Sequence, residues 1–284
     1  MLIRGGLLVD GTGAAPRLAD VMVSEDRITA ILPPSASGAQ GGPTLDADGL
    51  VVSPGFIDIH SHGDLIVTLP PAAQRDLMAG RIGQGITTEI VGNCGLGVYP
   101  CGRSLPLLRA VAAWMTPPME TDWPSGRWSD LASYLAHLET NGTWCNVGAL
   151  QPHGPLRMEA AGLSREAGPE AEARMIRHLE AALDAGAFGM STGLIYPPGI
   201  YTPTAEIVRL AKVIARRCPG ALVASHIRGS SETLLPAVEE LLSVGREAGI
   251  RVQHSHSEAV GRDHWGKIEQ VNSGSGGQRS SVVD

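Results

Sequence analysis

Beyond residue 50, short apolar runs alternate with segments whose apolar residues recur every three or four positions. The run Ile86–Val91 is rich in β-branched residues, which is typical of a buried strand. Residues 170–183 instead place Met175, Leu179 and Leu183 on one face of a helix. Because strand, loop and helix follow one another repeatedly, the pattern predicts a right-handed parallel α/β barrel over residues 51–270.

The first 50 residues show a different pattern. Apolar runs at residues 2–9, 21–23 and 28–32 predict short strands, and a polar Ser-Glu-Asp turn joins the last two as a hairpin. Residues 35–43 are a connector of Gly, Ser, Pro and Ala. The sequence therefore predicts a small β-sandwich-like unit over residues 1–50, with a junction near Leu50.

An apolar run over residues 51–62 ends in two histidines with one residue between them. Side chains at i and i+2 of a strand lie on the same face, so His60 and His62 could each offer a ring nitrogen to one metal ion. A His-x-His pair alone is a weak signal, because two histidines can fall at that spacing by chance.

Three later strand-like runs also end in residues of the kind that bind metals. They are residues 86–91 followed by Cys94, residues 221–225 followed by His226, and residues 251–255 followed by His256. In isolation Cys94 would be interpreted as a buried, inert cysteine. In a barrel, however, the carboxyl ends of parallel strands meet at one rim. Their shared position therefore favours a metal site made by all five residues.

Candidates for substrate contact lie near the later strand ends. Residues 186–199 form a short strand that opens into a glycine-rich loop, which lacks the Lys-Ser/Thr end of a phosphate-binding loop. Ser191 and Tyr196 are candidates to line a pocket, although turn formation accounts for them equally well. Arg228, two residues after His226, is a third candidate.

Composition narrows the class of protein. Of 284 residues, 43% are hydrophobic and 18% are charged, and no apolar run approaches the ~20 residues that span a bilayer. The net charge of −7, without a basic cluster, argues against a nucleic-acid surface. Four cysteines in so long a chain do not indicate a disulfide framework. We therefore expect a cytoplasmic protein that acts on a small molecule and contacts neither nucleic acid nor membrane.

Two segments lack periodicity. Residues 115–128 contain three prolines and two tryptophans, which predicts an irregular surface segment. Residues 271–284 have the composition of a disordered tail.

With these residues in view, the chain resembles the N-acyl-D-amino-acid deacylases, or D-aminoacylases, of the amidohydrolase superfamily. The segments that carry the resemblance are Asp10-Gly-Thr-Gly13, Pro54-Gly-Phe-Ile-Asp-Ile-His-Ser-His62, Gly92-Asn-Cys-Gly95, Gly189-Met-Ser-Thr-Gly-Leu-Ile-Tyr196, Ser225-His-Ile-Arg228 and Ser255-His256. The resemblance covers residues 1 to about 270. It implies a (β/α)8-type (TIM) barrel of the metal-dependent hydrolase kind, incomplete at its C-terminus.

The resemblance also implies zinc-dependent hydrolysis of the amide of an N-acyl-D-amino acid, giving a carboxylate and the free D-amino acid. By that resemblance Cys94, His226 and His256 hold the tightly bound zinc, and His60 and His62 match a weaker or second metal position. One or two Zn2+ ions are expected. Thiolate and imidazole are suitable zinc donors, and the ion lowers the pKa of water for attack on the acyl carbonyl.

The chain departs from the pattern of that family at two places. The family's general acid is an aspartate at the end of the last barrel strand, and the sequence contains no matching motif, so the catalytic acid is unassigned. The family's lysine two residues after the second metal-binding histidine is here Glu258, which would repel a substrate carboxylate.

The end of the sequence leads to a further expectation. Removal of the last barrel strands by a frameshift or truncation would leave unpaired sheet edges. We therefore expect low solubility or self-association through those edges.

Two alternatives stay open. A cyclic-amide hydrolase, such as a hydantoinase or dihydroorotase, shares the His-x-His pair but usually bridges two metals with a carboxylated lysine. This chain has only Lys212 and Lys267, neither of them at a strand end, which disfavours that class. The other alternative is a catalytically dead zinc-binding fragment, or half of an enzyme that a separate chain completes.

Overall fold

The protein divides into two compact units, Met1–Phe56 and Ile57–Asp284. The structure, a computed structural model, describes residues 1–34, 42–102 and 128–275. The division falls after Phe56 rather than near Leu50, because the strand Val51–Val52 still pairs with the first strand of the chain. Most of the irregular segment at residues 115–128 lies outside the described residues; only Trp128 is described, with a side chain that is buried.

The first unit is a single β sheet in its described part. Its strands are β1 (Leu2–Leu8), β2 (Arg17–Ser24), β3 (Arg27–Leu32), β4 (Thr44–Asp46) and β5 (Val51–Val52). The order is β3-β2-β1-β4, with β5 also paired to β1. The predicted hairpin is confirmed as the antiparallel pair of β2 and β3. The small core of this sheet centres on Leu8, Ala19 and Val21, and the sandwich-like arrangement stays a prediction.

The second unit alternates strands and helices. Its strands are β6 (Phe56–Asp58), β7 (Ile86–Val91), β8 (Asn146–Ala149), β9 (Gln151–Pro152), β10 (Gly189–Gly193), β11 (Leu222–His226) and β12 (Arg251–Ser255). Its helices are α1 (Pro71–Ile82), α2 (Leu131–Asn141), α3 (His153–Ala161), α4 (Pro169–Asp184), α5 (Thr204–Arg217), α6 (Leu234–Ala248) and α7 (Lys267–Ser275).

The strands of the second unit build two sheets that follow each other along the chain. One has the order β6-β7-β8 and the other β12-β11-β10-β9. The pairs β7 with β8, β9 with β10, β10 with β11, and β11 with β12 are parallel. Only Leu150 separates β8 from β9, so one stretch of chain pairs with both sheets. This is the parallel α/β architecture of a TIM barrel, as the sequence predicts.

The helices pack their apolar faces onto this sheet layer. Met175 and Leu179 of α4, and Leu210 and Ile214 of α5, are fully buried in the main core. Their spacing of four residues places each pair on one helix face, which confirms the predicted helical periodicity. No helix among residues 1–34, 42–102 and 128–275 combines the length and the apolarity that crossing a bilayer requires.

Two sequence predictions need correction. The strand predicted over residues 51–62 is interrupted after β5 and ends at Asp58, before the two histidines. Pro54 lies in the interruption and has no N–H to donate to a sheet ladder. The predicted tail begins too early, because α7 continues to Ser275; the remainder of that tail lies outside the described residues.

Candidate metal centre

The carboxyl ends of four strands bring the five predicted metal ligands together. His60 and His62 follow β6, Cys94 follows β7, His226 is the last residue of β11, and His256 follows β12. The strand ends of a parallel barrel converge, which is why residues nearly 200 positions apart can meet. The sequence predicted this convergence from the apolar runs alone.

The five side chains form two groups of three that share one cysteine. One group is His60, His62 and Cys94, and the other is Cys94, His226 and His256. Within each group the ligand atoms lie within 4.8 Å of one another. The Sγ atom of Cys94 lies 3.2 Å from Nε2 of His60 and 3.2 Å from Nε2 of His256. The thiol is therefore the point that joins the two groups.

Three of the histidines, His60, His62 and His226, are held in the uncharged form that binds metals. Burial, assisted by the neighbouring His256, lowers the pKa of His60 and of His226. Burial lowers the pKa of His62 to about 4, and His60 adds to that effect. Near neutral pH these imidazoles therefore present lone pairs, as metal ligands must.

The thiol of Cys94, unlike these imidazoles, is held in its protonated form. Burial raises its pKa to about 12, and the nearby carboxyl of Asp64 adds to the shift. Without a cation beside it, the sulfur keeps its proton. A divalent ion would favour the thiolate, and thiolate with imidazole is a donor set that suits zinc. The buried Nδ1 of His62 also has no hydrogen-bond partner within the described residues.

The backbone at two of the ligands adopts a conformation that L-residues rarely adopt. Cys94 has φ +55° and His256 has φ +59°, both in the left-handed region. Such strained residues persist only where surrounding contacts enforce them, and they are frequent at functional sites. The turn at His256 follows directly after β12 and takes its backbone out of the extended conformation.

A buried polar network supports the segment that carries His60 and His62. The hydroxyl of Ser61 donates to Oε2 of the fully buried Glu89 at 2.8 Å, and Arg81 donates to Oε1 of the same carboxylate at 2.9 Å. The N–H of Gly63 donates to the Ser61 hydroxyl at 3.0 Å. Sequence reasoning missed this network, because no local pattern shows that the carboxylate of Glu89, inside strand β7, is buried.

Two aspartates fix the backbone near the ligands. Oδ1 of Asp58 accepts the N–H of His60 at 3.0 Å, which replaces a ladder partner after β6 ends. Oδ1 of the buried Asp64 accepts the N–H of Gly92 at 2.9 Å, and burial raises the pKa of Asp64 to about 7. Asp64 therefore links the histidine segment to the segment that carries Cys94.

Each of the three predicted substrate residues hydrogen-bonds to other atoms of the protein, and substrate contact by them stays a prediction. Ser191 is 0% exposed, and its hydroxyl bonds to backbone atoms of Gly92 and Gly95. It therefore contacts the protein's own backbone and does not line an open pocket. Tyr196 is partly exposed and packs beside His226 with ring centroids 5.7 Å apart, while its hydroxyl donates to the carbonyl of Cys94.

Arg228 forms an ion pair with Glu240. It donates to both carboxylate oxygens of Glu240 at 2.9 Å, and to the carbonyls of Ile200 and Thr202. Of its five N–H groups, these bonds use four. The structure therefore gives Arg228 a part in holding the loop before α5 against α6, and substrate contact by this residue stays a prediction.

Comparison with known proteins identifies relatives across the whole chain. A family model described as "Amidohydrolase family" matches residues 44–271. N-acyl-D-glutamate deacylase of Alcaligenes xylosoxydans xylosoxydans is 39% identical over 269 residues, which cover 94% of this chain and 51% of that protein. D-aminoacylase of the same organism is 33% identical over 274 residues, or 95% of this chain and 53% of that protein. The chain thus spans about half the length of these relatives.

Solved structures give the same result. N-acyl-D-glutamate deacylase from Bordetella bronchiseptica, complexed with zinc and a phosphonate inhibitor, superposes with a TM-score of 0.84 at 35% identity. A D-aminoacylase described with a binuclear metal centre has a TM-score of 0.84 at 32% identity. Each match covers 99% of this chain and 57% of the other. An L-hydantoinase at 17% identity, with a TM-score of 0.57, shares the fold alone. The chain belongs to the amidohydrolase family.

Proposed function

We propose that the protein binds zinc through its cysteine and histidine cluster and hydrolyses the amide bond of N-acyl-D-amino acids. Cys94, His226 and His256 would hold one ion, and His60 and His62 would hold a second that shares Cys94. The observation that carries the proposal is the central thiol, which lies 3.2 Å from an imidazole of each group.

The chemistry of the cluster supports hydrolysis. When bound, zinc would polarise the acyl carbonyl and lower the pKa of water, which is how metal-dependent hydrolases activate both reactants. The protein's own residues prepare this site in two ways. The partly buried imidazoles of His60 and His62 are uncharged and need lose no proton to bind, whereas Cys94 must release its proton to the solvent. Asp58, through the backbone of His60, fixes the direction of that ligand.

The substrate class follows from the relatives. The three relatives that match 94% to 95% of this chain are an N-acyl-D-glutamate deacylase, an N-acyl-D-aspartate deacylase and a D-aminoacylase. Glu258 lies near enough to the cluster to affect the choice of substrate. Its negative charge acts to raise the pKa of His226 and partly opposes the lowering caused by burial and by His256. An exposed carboxylate so near the cluster disfavours a second acidic group on the substrate. We therefore expect neutral D-side chains to be preferred over acidic ones.

A cyclic-amide hydrolase is the weaker candidate. Among the described residues, neither lysine belongs to the ligand cluster, since Lys212 lies on α5 and Lys267 donates to the carbonyls of Ser231 and Glu232. A lysine-bridged metal pair is therefore disfavoured. A protein that binds zinc without turnover is the other alternative. Measuring zinc content together with hydrolysis distinguishes the deacylase, the cyclic-amide hydrolase and this inactive zinc-binding protein.

The test measures zinc content and amide hydrolysis in one preparation. The substrates are the N-acetyl derivatives of D-leucine, D-glutamate and D-aspartate, with their L-enantiomers and a hydantoin as comparisons. We expect bound zinc and release of D-amino acid only. Cys94→Ser should lose both zinc binding and amide hydrolysis. The loss should exceed the ~10–100-fold that follows when a residue supporting a metal ligand is removed. Cys218→Ser, at a half-buried cysteine on the far end of α5, is the matched control.

Each other outcome overturns part of the proposal. Zinc without release of any amino acid supports a metal-binding protein and excludes the deacylase. Opening of the hydantoin supports the cyclic-amide class. Absence of zinc in a folded protein removes the metal centre itself.

A further inference from the structure

The four residues from Gly92 to Gly95, here called the Cys94 loop, are held by two side chains that the metal chemistry does not require. We propose that Ser191 and Tyr196 are positioning residues, whose hydroxyls fix the backbone of the Cys94 loop so that the sulfur points at the histidines. This inference rests on the proposed metal site and assigns these residues a role other than substrate contact.

Ser191 joins the two ends of the loop. Its Oγ donates to the carbonyl of Gly92 and accepts the N–H of Gly95 at 2.9 Å. Both loop ends are therefore tied to one atom of β10, a strand with which the loop shares no ladder. The side chain is 0% exposed, so neither water nor substrate competes for these bonds.

Tyr196 holds the middle of the same loop. Its hydroxyl donates to the carbonyl oxygen of Cys94 itself, the residue whose sulfur is shared by both ligand groups. Its ring packs at an angle of 57° to the imidazole of His226. One side chain therefore contacts two ligands of the same group, one through the backbone and one through the ring.

The loop needs such support because its backbone is unfavourable. Gly92, Cys94 and Gly95 have φ values of +78°, +55° and +62°. Glycine adopts these angles readily, but Cys94 is an L-residue in the left-handed region. Without the two hydroxyls, its backbone would relax toward negative φ, and the direction of the Cα–Cβ bond, and with it the sulfur, would change.

Metal ligands are commonly aimed by residues that do not touch the metal, and loss of such a residue lowers metal affinity by ~10–100-fold. Those partners usually bond to the ligand side chain. Here the bonds go to the backbone of the ligand. A metal-bound histidine can be oriented through its other ring N–H, whereas a thiolate has no hydrogen to donate.

The test uses Co2+ as a probe, because a cobalt–thiolate bond gives a charge-transfer absorption that reports the sulfur directly. The variants are Ser191→Ala, Tyr196→Phe and the double variant, titrated with Co2+ and then with Zn2+ in competition. Unfolding of each metal-free variant is measured in parallel. Because Tyr196 is partly exposed, its variant is expected to fold even if the buried Ser191→Ala variant does not.

Two control variants each remove a hydroxyl that does not bond to the Cys94 loop, one matched to Ser191 and one to Tyr196. Thr192→Val removes a buried hydroxyl one position further along β10, which donates to Ser225 and not to the loop. Tyr201→Phe removes a tyrosine hydroxyl from the neighbouring 3-10 helix Gly199–Tyr201. We expect each test variant to lose ~10–100-fold in Co2+ affinity with a weakened thiolate band, and the controls to keep both.

The outcomes distinguish this inference from the proposed function. Unchanged affinity and an unchanged band in folded Tyr196→Phe and Ser191→Ala would overturn the positioning role while leaving the metal site intact. The positioning role is also overturned if Thr192→Val loses as much Co2+ affinity as the test variants do while it is destabilised by the same amount as they are. Absence of a thiolate band in the unaltered protein would instead overturn the metal site, and this inference with it.

Discussion

At the scale of single residues, the close approach of two backbones at Gly193 permits the contact between Tyr196 and Cys94. A Cβ atom at Gly193 would overlap both the carbonyl oxygen of Cys94 and the phenol of Tyr196. Backbone atoms cannot yield as the end of a flexible side chain can. The space at Gly193 therefore supports the proposed metal site, although the residue has no group that could bind an ion.

We predict that Gly193→Ala destabilises the protein by about 1–3 kcal/mol, the usual cost of overpacking, and weakens metal binding. Chemical denaturation with and without Zn2+ measures both effects. The matched control is Gly80→Ala in α1, where a Cβ meets nothing within 4 Å. There alanine should stabilise by about 0.5–1 kcal/mol, because glycine costs that much inside a helix. Equal effects of the two substitutions would contradict the prediction.

A second residue-scale feature is the buried carboxylate of Glu206. It is 2% exposed and accepts from Nε of Arg157 at 3.2 Å, with Nε2 of His153 also 3.2 Å away. Burial alone would raise the pKa of Glu206, but the hydrogen bonds and charges of His153 and Arg157 outweigh it, so the pKa lies below its usual 4.5. The buried arginine thus has its counter-ion inside the protein.

The sign of the pH effect follows. A carboxylate whose pKa is lower in the folded state stabilises the fold above its unfolded pKa of about 4.5, and this stability is lost as the pH falls through the lower, folded value. Glu206→Gln should cost about 3–5 kcal/mol near neutral pH, because it leaves Arg157 buried without its partner. The gap between wild type and variant should narrow below about pH 4.

Denaturant unfolding at several pH values measures that gap. The exposed pair of Asp184 and Arg217 offers the comparison, since Asp184→Asn should change stability little at any pH. A gap between wild type and Glu206→Gln that stays constant from about pH 7 to about pH 3 would show that Glu206 is not stabilised as a carboxylate.

At the scale of elements, the sequence predicted several strands of the second unit and the helix over residues 170–183, because each has one clear apolar pattern. The strands Ile86–Val91 and Arg251–Ser255 were predicted at their observed bounds. The histidine strand was predicted too long, because its apolar residues continue through a segment in which Pro54 interrupts the ladder. The apolar pattern was misleading here, because Phe56, Ile57 and Ile59 are exposed in the structure.

The convergence of the five proposed metal ligands was predictable for a related reason. In a parallel α/β fold the end of a strand has a fixed place, so a ligand-type residue just after an apolar run can be placed without knowing any contact. Ser191 and Tyr196 could not be interpreted in this way. Their partners, Gly92 and Cys94, lie about 100 residues earlier, and no local pattern shows whether a hydroxyl faces a pocket or a backbone.

At the scale of the whole molecule, the proposed metal site joins segments that are distant in the chain. His60 and Cys94 follow strands of the sheet β6-β7-β8, whereas His226 and His256 end or follow strands of the sheet with β11 and β12. One shared thiol between the two ligand groups therefore connects both sheets at their carboxyl ends. An ion bound there restrains segments that the unfolded chain would separate widely.

We predict that metal binding raises the free energy of unfolding of the whole second unit. Because the unfolded chain cannot assemble ligands from residues 60 to 256, an ion at 100 times its dissociation constant should stabilise the fold by about 2.7 kcal/mol. Removing zinc with a chelator should lower the unfolding midpoint, and adding zinc back should restore it. In Cys94→Ser the two midpoints should nearly coincide, because both ligand groups lose their common member. If chelation left the wild-type midpoint unchanged while zinc was shown to leave the protein, the ion would bind the unfolded chain as tightly as the folded one, and the prediction would be contradicted.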